Sequence, residues 1–260
     1  MKRAPAVLYH YTSPAALVGI LSENRLRATN FLTHNDHSEL IYGLDIAAKR
    51  LEERLREKKL ATKLRRRFGE LLERLQQLRL EDIGAYYASL SENGNLLSQW
   101  RTYAGTQGFA LGFRAMQKRE LTFRTEDDAP LELCRVLYDS AEQAKAIDEA
   151  IESSTAALDE LVGIASAIKH AGFSEEREWR ITFHPPRLTE ADATMFRIRA
   201  EGTDLVSYVE LLPRSGVLPI SCVVCGPGVY VSAARQALQL LLKQSGYRDV
   251  EIETSDIPAL

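Results

Sequence analysis

Apolar residues along the chain follow two periods, the two-residue alternation of strands and the three-to-four-residue spacing of amphipathic helices. These segments mix without regular strand–helix–strand units, so the pattern predicts an α+β fold with mixed, mostly antiparallel sheets. Strands are predicted at the segments AVLYHYTS, RLRATNFLT, AYYASL, GFALGF, LCRVLY, REWRITF, TMFRIRA, VSYVELL, SCVVCG and DVEIETS. No repeat or low-complexity linker occurs, and we expect a single domain over residues 1–260.

Helical periodicity is strongest in two long segments. A helical insertion or arm is predicted at residues 44–82, as one long helix or a projecting hairpin, because leucine and phenylalanine repeat there at spacings of four and three residues. This seam consists of Leu64, Phe68, Leu71, Leu75 and Leu78. Residues 141–170 predict a second long helix.

Shorter helices are marked by their ends. Ser13 and Pro14 supply an N-cap and a proline at the first helical position, and Asn24 stands where a left-handed cap would end the helix. Further short helices are predicted at 98–104 and 231–245.

Composition is that of an ordinary globular protein, with 45% hydrophobic and 27% charged residues. No apolar run approaches the length of a membrane span, and the apolar stretch near the start is too short for a signal peptide. We therefore expect a cytoplasmic protein without membrane association. Cys222 and Cys225 form a C-x-x-C in a predicted strand that points them to opposite faces, which favours core residues over a metal site.

Charge is distributed unevenly. The net charge is −3, but the segment from Lys49 to Arg79 holds twelve basic and five acidic residues, a local charge of +7, so the remainder carries −10. Such a segment could dock a nucleic acid or an acidic protein target. The alternative is a solvated coiled-coil face or a homodimer contact.

Polar residues inside predicted strands are the first candidates for function. His10 is central in its strand, where a histidine is either functional or a hydrogen-bonded core residue. In GFALGF the residues Gly108, Ala110 and Gly112 share one face, which admits either a ligand or a closely packed helix. Trp100 is either a core residue or a stacking platform, as is Tyr103.

Acidic and basic side chains also share one face of the predicted strand REWRITF. Trp179, Ile181 and Phe183 would point into the core, which leaves the opposite face to a polar row. That row consists of Glu176, Glu178, Arg180 and Thr182. It is either a solvated row of ion pairs or a cleft in which a carboxylate meets developing positive charge, as at a glycosidic carbon.

A loop with metal-capable side chains lies at residues 34–39. His34 and His37 are three residues apart, with Asp36 and Glu39 beside them. The spacing matches no defined metal motif, so turn and cap chemistry is the preferred interpretation and no metal is predicted.

Several of these segments together resemble the bacterial domain of unknown function family DUF2971. The resemblance follows the chain in order through LYHYTS, the loop N35-D-x-x-E39, SQWRTYA with GFALGF, CRVLYD, the stretch from KH170 to FSEEREWRI, and VVCGPG. This family brings no established chemistry.

The N-terminal strand with its histidine, followed by a short helix ending in IL-x-x-x-x-L, also resembles ADP-ribosyltransferases of the DarT and poly(ADP-ribose) polymerase type. The resemblance implies a split sheet that holds NAD as substrate without a metal. It implies that His10 contacts the adenosine ribose, that Ser98 or Tyr103 lies near the nicotinamide ribose, and that Glu178 is the catalytic carboxylate. Glu176 would complete the E-x-E of the arginine-modifying branch.

Other residues near these positions would then bind the substrate. Tyr11, Trp100 or Tyr103 would stack on nicotinamide, and Thr12 and Arg180 complete the expected set. The resulting hypothesis is an NAD-dependent ADP-ribosyltransferase or NAD glycohydrolase, with a toxin or anti-phage effector as its biological form. The alternatives are a non-catalytic nucleotide- or partner-binding module and a nucleic-acid-binding accessory protein that acts through the basic segment.

Overall fold

The computed structural model describes residues 4–33, 37–80, 83–104, 107–117, 120–153, 158–185, 195–201, 204–228 and 231–258. Its α-helices are α1 (Pro14–Glu23), α2 (His37–Arg56), α3 (Thr62–Gln76), α4 (Leu97–Gln99), α5 (Ser140–Glu152), α6 (Leu158–Ala165) and α7 (Val231–Gln244). Its strands are β1 (Leu8–Thr12), β2 (Leu26–Asn30), β3 (Tyr86–Ser91), β4 (Phe109–Phe113), β5 (Met116–Gln117), β6 (Glu120–Leu121), β7 (Phe123–Arg124), β8 (Glu132–Arg135), β9 (Glu178–Phe183), β10 (Phe196–Glu201), β11 (Asp204–Pro213), β12 (Ile220–Cys225) and β13 (Glu251–Thr254). Among the described helices, none is both long and apolar enough to cross a bilayer.

The described residues form one open, mostly antiparallel sheet of eleven strands, and β5 and β6 form a separate pair. The main path runs β10-β11-β2-β3-β1-β4-β12-β13, while β9 pairs with β3, β8 pairs with β9, and β7 pairs with β11. The α+β class is confirmed. The two separate sheets implied by the resemblance to ADP-ribosyltransferases are not confirmed, because both halves are hydrogen-bonded to β3.

The sheet forks at β3. One edge of β3 pairs with β9 along its whole length, from Tyr86 to Ser91. On the other edge β2 pairs with Tyr86 and Tyr87, and β1 pairs with Ser91. Among the described residues, no strand pairs with residues 88–90 on that edge, so β1 and β2 diverge there.

The apolar core lies mainly on the sheet face that α1 and α7 cover, and Trp179, Ile181 and Phe183 contribute to it as predicted. A second cluster lies among α2, α3, α5 and α6. A third joins these helices to the sheet through Phe31, Tyr87 and Val162. The longer helices thus bury their apolar stripes, which supplies most helical stability in water.

The short helix α1 follows its sequence signals closely. The side chain of Ser13 accepts a hydrogen bond from the backbone N–H of Ala16, and Pro14 opens the helix. Asn24 adopts the left-handed conformation, with φ 53° and ψ 44°. Its side chain also binds the backbone of Gly216 and Leu218, which ties the end of α1 to the loop before β12.

The basic segment is a helical hairpin, one of the two predicted forms, made by α2 and α3. It does not project, because the seam residues Phe68, Leu71 and Leu75 are buried in the cluster shared with α5 and α6. A coiled-coil-like stripe predicts an apolar partner but does not say where that partner lies along the chain. Here the partner is the helical segment near residue 150.

The prediction of one long helix over 141–170 is wrong, because α5 and α6 are separate. The helix α5 ends at Glu152, since Ser153 leaves the helical conformation (φ −60°, ψ 146°) and its hydroxyl bonds the carbonyl of Ala150. Serine competes for backbone groups in this way at helix ends. Beyond α6, Ile168 forms a β-bridge with Leu137, which explains why the helix does not reach residue 170.

Candidate functional site

A cavity of about 510 Å³ opens at the fork between β1 and β2. This volume is in the range of pockets that hold small molecules and cofactors. Its wall is formed by β1 with the first turns of α1, by β2, by β3, by the helical segment around residue 100, and by parts of β9 and β10. The lining residues are Tyr9, His10, Tyr11, Thr12, Ser13, Ala15, Ala16, Gly19, Ile20, Leu26, Arg27, Thr29, Tyr87, Ala88, Ser89, Leu90, Ser91, Gln99, Tyr103, Glu176, Glu178, Arg199 and Ala200.

His10 lies at the gap between the diverging strands. Its Nδ1 atom is 2.9 Å from the carbonyl oxygen of Ser89, in the part of β3 that no described strand pairs on this edge. Because a carbonyl oxygen only accepts, this contact places a proton on Nδ1 and makes Nε2 an acceptor in the neutral ring. The histidine thus replaces a missing strand-to-strand hydrogen bond and lines the cavity.

The same residue of β3 connects His10 to Glu178. The hydroxyl of Ser89 donates to Oε1 of Glu178 at 2.6 Å. His10 and Glu178, 168 positions apart in the chain, therefore approach the cavity from the two sides of β3. Ser89 was not predicted from the sequence, which favoured Ser98 or Tyr103 for the middle position.

Glu178 belongs to a buried cluster of three carboxylates and two cations. Lys169 contacts Glu39 at 2.8 Å, Glu176 at 2.6 Å and Glu178 at 3.3 Å. Arg180 contacts Glu178 at 2.7 Å and Glu39 at 2.6 Å, and its guanidinium lies 4.5 Å from the ring centre of Tyr87. With every member ionised the cluster carries a net charge of −1. The alternative of a solvated ion-pair row is wrong, because Glu176, Glu178 and Arg180 are only 9%, 5% and 2% exposed.

Glu178 is the most strongly held carboxylate of this cluster. Burial alone would raise its pKa, but the charges of Arg180 and Lys169, with hydrogen bonds from Arg180 and Ser89, lower the pKa to about 2. Oε1 accepts from Ser89 and Arg180, and Oε2 accepts from Lys169 and Arg180. These four bonds fill the usual acceptor capacity of a carboxylate. Glu178 therefore has a buried negative charge but no acceptor position left for a further hydrogen bond.

Glu176 differs from Glu178 in conformation and in electrostatics. The alternating pattern predicted that Glu176 belongs to the strand, and this prediction is wrong. Glu176 is the last residue of a 3-10 helix over Ala171–Glu176, and Arg177 after it takes the left-handed conformation (φ 43°). Burial raises the pKa of Glu176, and the hydrogen bond and charge of Lys169 oppose this only in part. Its Oε2 accepts from Lys169, while among the described residues Oε1 has no hydrogen-bond partner. Glu176 is thus the carboxylate of the cluster with an oxygen available to a ligand.

The remaining predicted site residues divide into two groups. Tyr11, Thr12 and Tyr103 line the cavity. The Tyr11 hydroxyl is already engaged, since it donates to the carbonyl of Asn93 and accepts from the N–H of Leu96.

Ser98, Trp100 and Arg180 do not line the cavity. Trp100 is completely buried, lies edge-on to Tyr11 and donates to the side chain of Asn95, so the stacking role is corrected to a core role. Ser98 lies in α4 with a buried hydroxyl that has no partner among the described residues. Arg180 lies behind Glu178, where it holds the carboxylate.

Two further members of the cluster, Glu39 and Lys169, were not assigned a role from the sequence. Lys169 follows the apolar run IASAI, where a single lysine is a sign of a buried partner. Glu39 stands in the first turn of α2, where an acidic residue is ordinarily explained by the helix dipole. Its reach to Arg180, 141 positions away, depends on how α2 packs against the sheet.

The small-faced strand β4 is closed by protein rather than by a ligand. A side chain at Gly112 would collide with the sulfur of Cys222 and with Val7, and one at Gly108 with Ala104. Ala110 packs against Tyr11 and Trp100. The close-packing alternative is therefore confirmed. Cys222 and Cys225 are buried core residues in β12, also as predicted.

Half of the metal-capable loop, residues 34–36, lies outside the described residues. Among the residues that the structure does describe, no group of three His, Cys, Asp or Glu side chains is arranged to hold a metal ion.

Several charges of the basic hairpin are paired within the fold. Arg50 contacts Asp148 at 2.5 Å, and Arg54 contacts Glu152 at 2.6 Å, both on α5. Arg66 is mostly exposed, with an ion pair to Glu70 on its own helix. The hairpin therefore uses part of its positive charge to bind the acidic face of α5.

A model of a known protein family matches the part of the chain that contains Glu176 and Glu178. Residues 99–181 match a family model described as "Protein of unknown function (DUF2971)". The predicted resemblance to DUF2971 is confirmed over this segment, which includes Lys169 and Arg180 but neither His10 nor Ser89. No curated protein and no solved structure gave a significant match.

Proposed function

We propose that the chain binds NAD in the fork cavity and breaks the bond between nicotinamide and ribose. Nicotinamide would leave as a neutral molecule with the bonding electrons, because its ring nitrogen carries a formal positive charge in NAD. The ribose C1′ would become cationic in the transition state and then form a bond to an oxygen or nitrogen nucleophile. That nucleophile is an acceptor residue in ADP-ribosyl transfer and water in NAD hydrolysis.

One observation carries this proposal, the meeting of His10 and Glu178 at one cavity through Ser89. Each of the two residues was predicted as a site residue from its own segment of the sequence. A buried carboxylate that stays ionised is suited to developing positive charge, since fixed charges act strongly where water is excluded. Glu178 has the required charge, as its pKa is about 2.

The two acidic residues would divide the work. Glu178 would stabilise the cationic ribose by its charge, because its oxygens are already bonded. Glu176 would accept the proton of the nucleophile, because its Oε1 is available and its raised pKa makes it a better base than an ordinary carboxylate. His10 would contact the adenosine ribose, and Tyr11 or Tyr103 would pack against nicotinamide.

A second candidate is a module that binds a nucleotide without turnover. It is favoured by the hydrogen bonding of Glu178, because the four bonds that its carboxylate accepts also fit a purely structural ion cluster. Such a module would bind NAD saturably and release no nicotinamide.

The test is incubation of the purified chain with NAD, with nicotinamide release followed by chromatography. Glu178→Gln, Glu176→Gln and His10→Ala are compared with the wild-type chain. Glu142→Gln serves as the control, because Glu142 lies outside the cavity in a half-exposed pair with Arg135. We expect release by the wild type and the control, and at least a tenfold loss in the three cavity variants.

Three other outcomes would be informative. Release that starts only after a cell extract is added would assign transfer to a macromolecular acceptor. Binding of NAD without release under either condition would select the non-catalytic module. Undiminished release by Glu178→Gln would overturn the proposed role of this carboxylate.

An NAD-consuming or acceptor-modifying enzyme would act in the cytoplasm as a toxin or an anti-phage effector, and the three free cysteines are compatible with a reducing compartment. Production of the wild-type chain in a bacterial host should then slow growth, while Glu178→Gln should not. A macromolecular acceptor, either a nucleic acid or an acidic protein, would dock on the basic segment Lys49 to Arg79. The same surface could instead join two copies of the chain.

A further inference from the structure

Gln99 is a buried polar residue of the cavity wall whose side chain is not satisfied by the fold. Only 8% of the residue is exposed, and it lines the cavity. Its carboxamide has no hydrogen-bond partner among the residues that the structure describes. A buried glutamine is usually satisfied, as Gln143 is, because its amide nitrogen donates to the carbonyls of Leu137 and Lys169. Gln99 therefore has two N–H donors and a carbonyl acceptor available to a ligand in the cavity.

The position of Gln99 is fixed by the packing of the helical segment that carries it. Trp100 and Ala104 are buried in one apolar cluster with Tyr11, which anchors the segment to β1. The turn from Trp100 to Ala104 is π-helical, a rare conformation that is frequent at functional sites. Gln99 and Tyr103, which are four residues apart, lie beside this buried pair and both line the cavity.

A chain of hydrogen bonds ties the same helical segment to Glu176. The hydroxyl of Ser91 donates to the carbonyl of Glu176 at 2.7 Å and accepts from the N–H of Asn93 at 3.1 Å. The carbonyl of Asn93 accepts from the hydroxyl of Tyr11 at 2.8 Å, and this hydroxyl accepts from the N–H of Leu96 at 2.9 Å. Because Leu96 directly precedes α4, these bonds hold the start of the helix in a defined position relative to the acidic cluster.

The residues of this chain lie on the face of the sheet that α1 does not cover. Ser91 is directly opposite Glu178, and directly opposite residues share a face. Trp179 and Leu8 belong to the core under α1. Because successive residues of a strand alternate between faces, Glu178 and Tyr11 point to the other side. Gln99 is thus anchored through Tyr11 on the same side of the sheet as the acidic cluster.

The free carboxamide of Gln99 indicates a ligand that donates and accepts hydrogen bonds side by side. A second primary amide does this through two parallel hydrogen bonds, and so does one edge of adenine. The hydrogen bonds to Glu176 place Gln99 at the end of the cavity where the bond between nicotinamide and ribose would break. Tyr103, beside Gln99, offers an aromatic ring against which a planar ligand can pack. Both observations favour nicotinamide over adenine.

We infer that Gln99 is the specificity-determining residue of a nicotinamide subsite, in which its side chain pairs with the ring carboxamide and Tyr103 covers the ring. The inference rests on the proposed function for the choice of NAD, and it deepens that function by naming the group through which the ligand is selected. A carboxylate in place of the carboxamide would be rejected for two reasons. It only accepts hydrogen bonds, so the carbonyl of Gln99 would stay unpaired, and the neighbouring acidic cluster carries a net charge of −1.

The test is calorimetric titration of the full chain with three ligands. These are NAD, nicotinic acid adenine dinucleotide, which has a carboxylate in place of the carboxamide, and ADP, which lacks the pyridine ring. The variants are Gln99→Leu and Gln99→Glu. Gln107→Leu is the matched control, because Nε2 of Gln107 is also buried without a partner among the described residues, but Gln107 does not line the cavity. Thermal unfolding shows whether each variant is folded before it is titrated.

We expect the wild type to bind NAD at least tenfold more tightly than the acid dinucleotide. Gln99→Leu should weaken NAD binding roughly tenfold, abolish the preference for NAD and leave ADP binding unchanged. Gln99→Glu still accepts from the amide N–H groups but repels a carboxylate, so it should keep the preference, and it tests the inference even where the leucine variant does not fold. Gln107→Leu should behave as the wild type. A merely structural role of Gln99 would instead lower the affinity for all three ligands equally.

Equal affinity of the wild type for the two dinucleotides would overturn the subsite, as would an equal loss in Gln107→Leu or no NAD binding at millimolar concentration. A loss of ADP binding in Gln99→Leu as large as the loss of NAD binding would assign the residue to adenine instead. The failure of the proposed function looks different. NAD selected through Gln99 by a chain that never releases nicotinamide would keep the subsite and reject the enzyme. Nicotinamide release by a chain whose NAD affinity is unchanged in Gln99→Leu would keep the enzyme and reject the subsite.

Discussion

Replacement of Glu178 by glutamine should change how the stability of the chain depends on pH. In the folded chain the pKa of Glu178 is about 2, against 4.5 for an unperturbed glutamate. A lowered pKa means that the ionised carboxylate stabilises the fold above pH 4.5, and that this contribution is lost as the pH falls towards 2. The difference of about 2.5 pH units corresponds to about 3 kcal/mol, at about 1.4 kcal/mol for each pH unit.

The charge balance of the cluster sets the effect at neutral pH. With Glu178 removed, Glu39 and Glu176 still balance Lys169 and Arg180, so no net buried charge is left. The lost hydrogen bonds and ion pairs should nevertheless cost about 3 kcal/mol, at the low end of the range for breaking a buried pair. Lys169→Met should cost more, because it leaves three carboxylates with one cation.

The assay is urea-induced unfolding between pH 2 and pH 7, followed by tryptophan fluorescence. Trp100 and Trp179 are both buried, so unfolding will expose both rings. The wild type should lose about 3 kcal/mol more than Glu178→Gln as the pH falls from 5 to 2. Glu142→Gln, a half-exposed control, should change stability by at most about 1 kcal/mol. Parallel pH profiles for the wild type and Glu178→Gln would refute the assignment of a strongly stabilised carboxylate.

Three further predictions concern other parts of the fold. The pKa of Glu176 is raised in the fold, so protonation of this side chain should stabilise the wild type as the pH falls towards 4.5. Glu176→Gln should remove this gain in the free energy of unfolding. Urea unfolding at several pH values measures the gain, and a pH profile unchanged by the substitution would contradict the prediction. Phe68→Ala should lower the free energy of unfolding by about 3–5 kcal/mol, measured by calorimetry, since Phe68 is fully buried between the hairpin and α5. A loss below about 1 kcal/mol would indicate that the hairpin is only loosely attached. Ser13→Ala should cost about 0.5–2 kcal/mol in urea unfolding through loss of the α1 cap, and no loss would show that the cap is dispensable.

Local features of the fold were predictable from sequence because neighbouring residues determine them. The cap at Ser13, the left-handed Asn24 and the seam through Phe68 depend on contacts within a few residues or on a simple period. The strand around Glu178 was predictable from the alternation of Trp179, Ile181 and Phe183. The sequence could not show that its other face is buried too, since charged residues usually mark a solvated face.

Long-range features were not predictable because they depend on which elements meet. The fork at β3 arises from how β1 and β2 share one edge, and no local pattern marks it. Ser89 connects His10 with Glu178 only because β3 lies between the strands that carry these two residues. Glu39 similarly joins the cluster only because α2 packs against the sheet, and the break at Ser153 depends on α5 and α6 packing separately.

The most direct test of the account is to block the fork cavity and measure NAD binding by calorimetry. Gly19 lines the cavity on α1, and an added Cβ there would meet no atom within 4 Å, so Gly19→Leu should fold and fill the space. Gly69→Leu on α3 is the matched control, with equal room for a Cβ but outside the cavity. The proposed NAD site in this cavity predicts that the wild type and Gly69→Leu bind NAD and that Gly19→Leu loses at least tenfold in affinity. Equal NAD affinity in all three proteins, or no binding by the wild type, would contradict it.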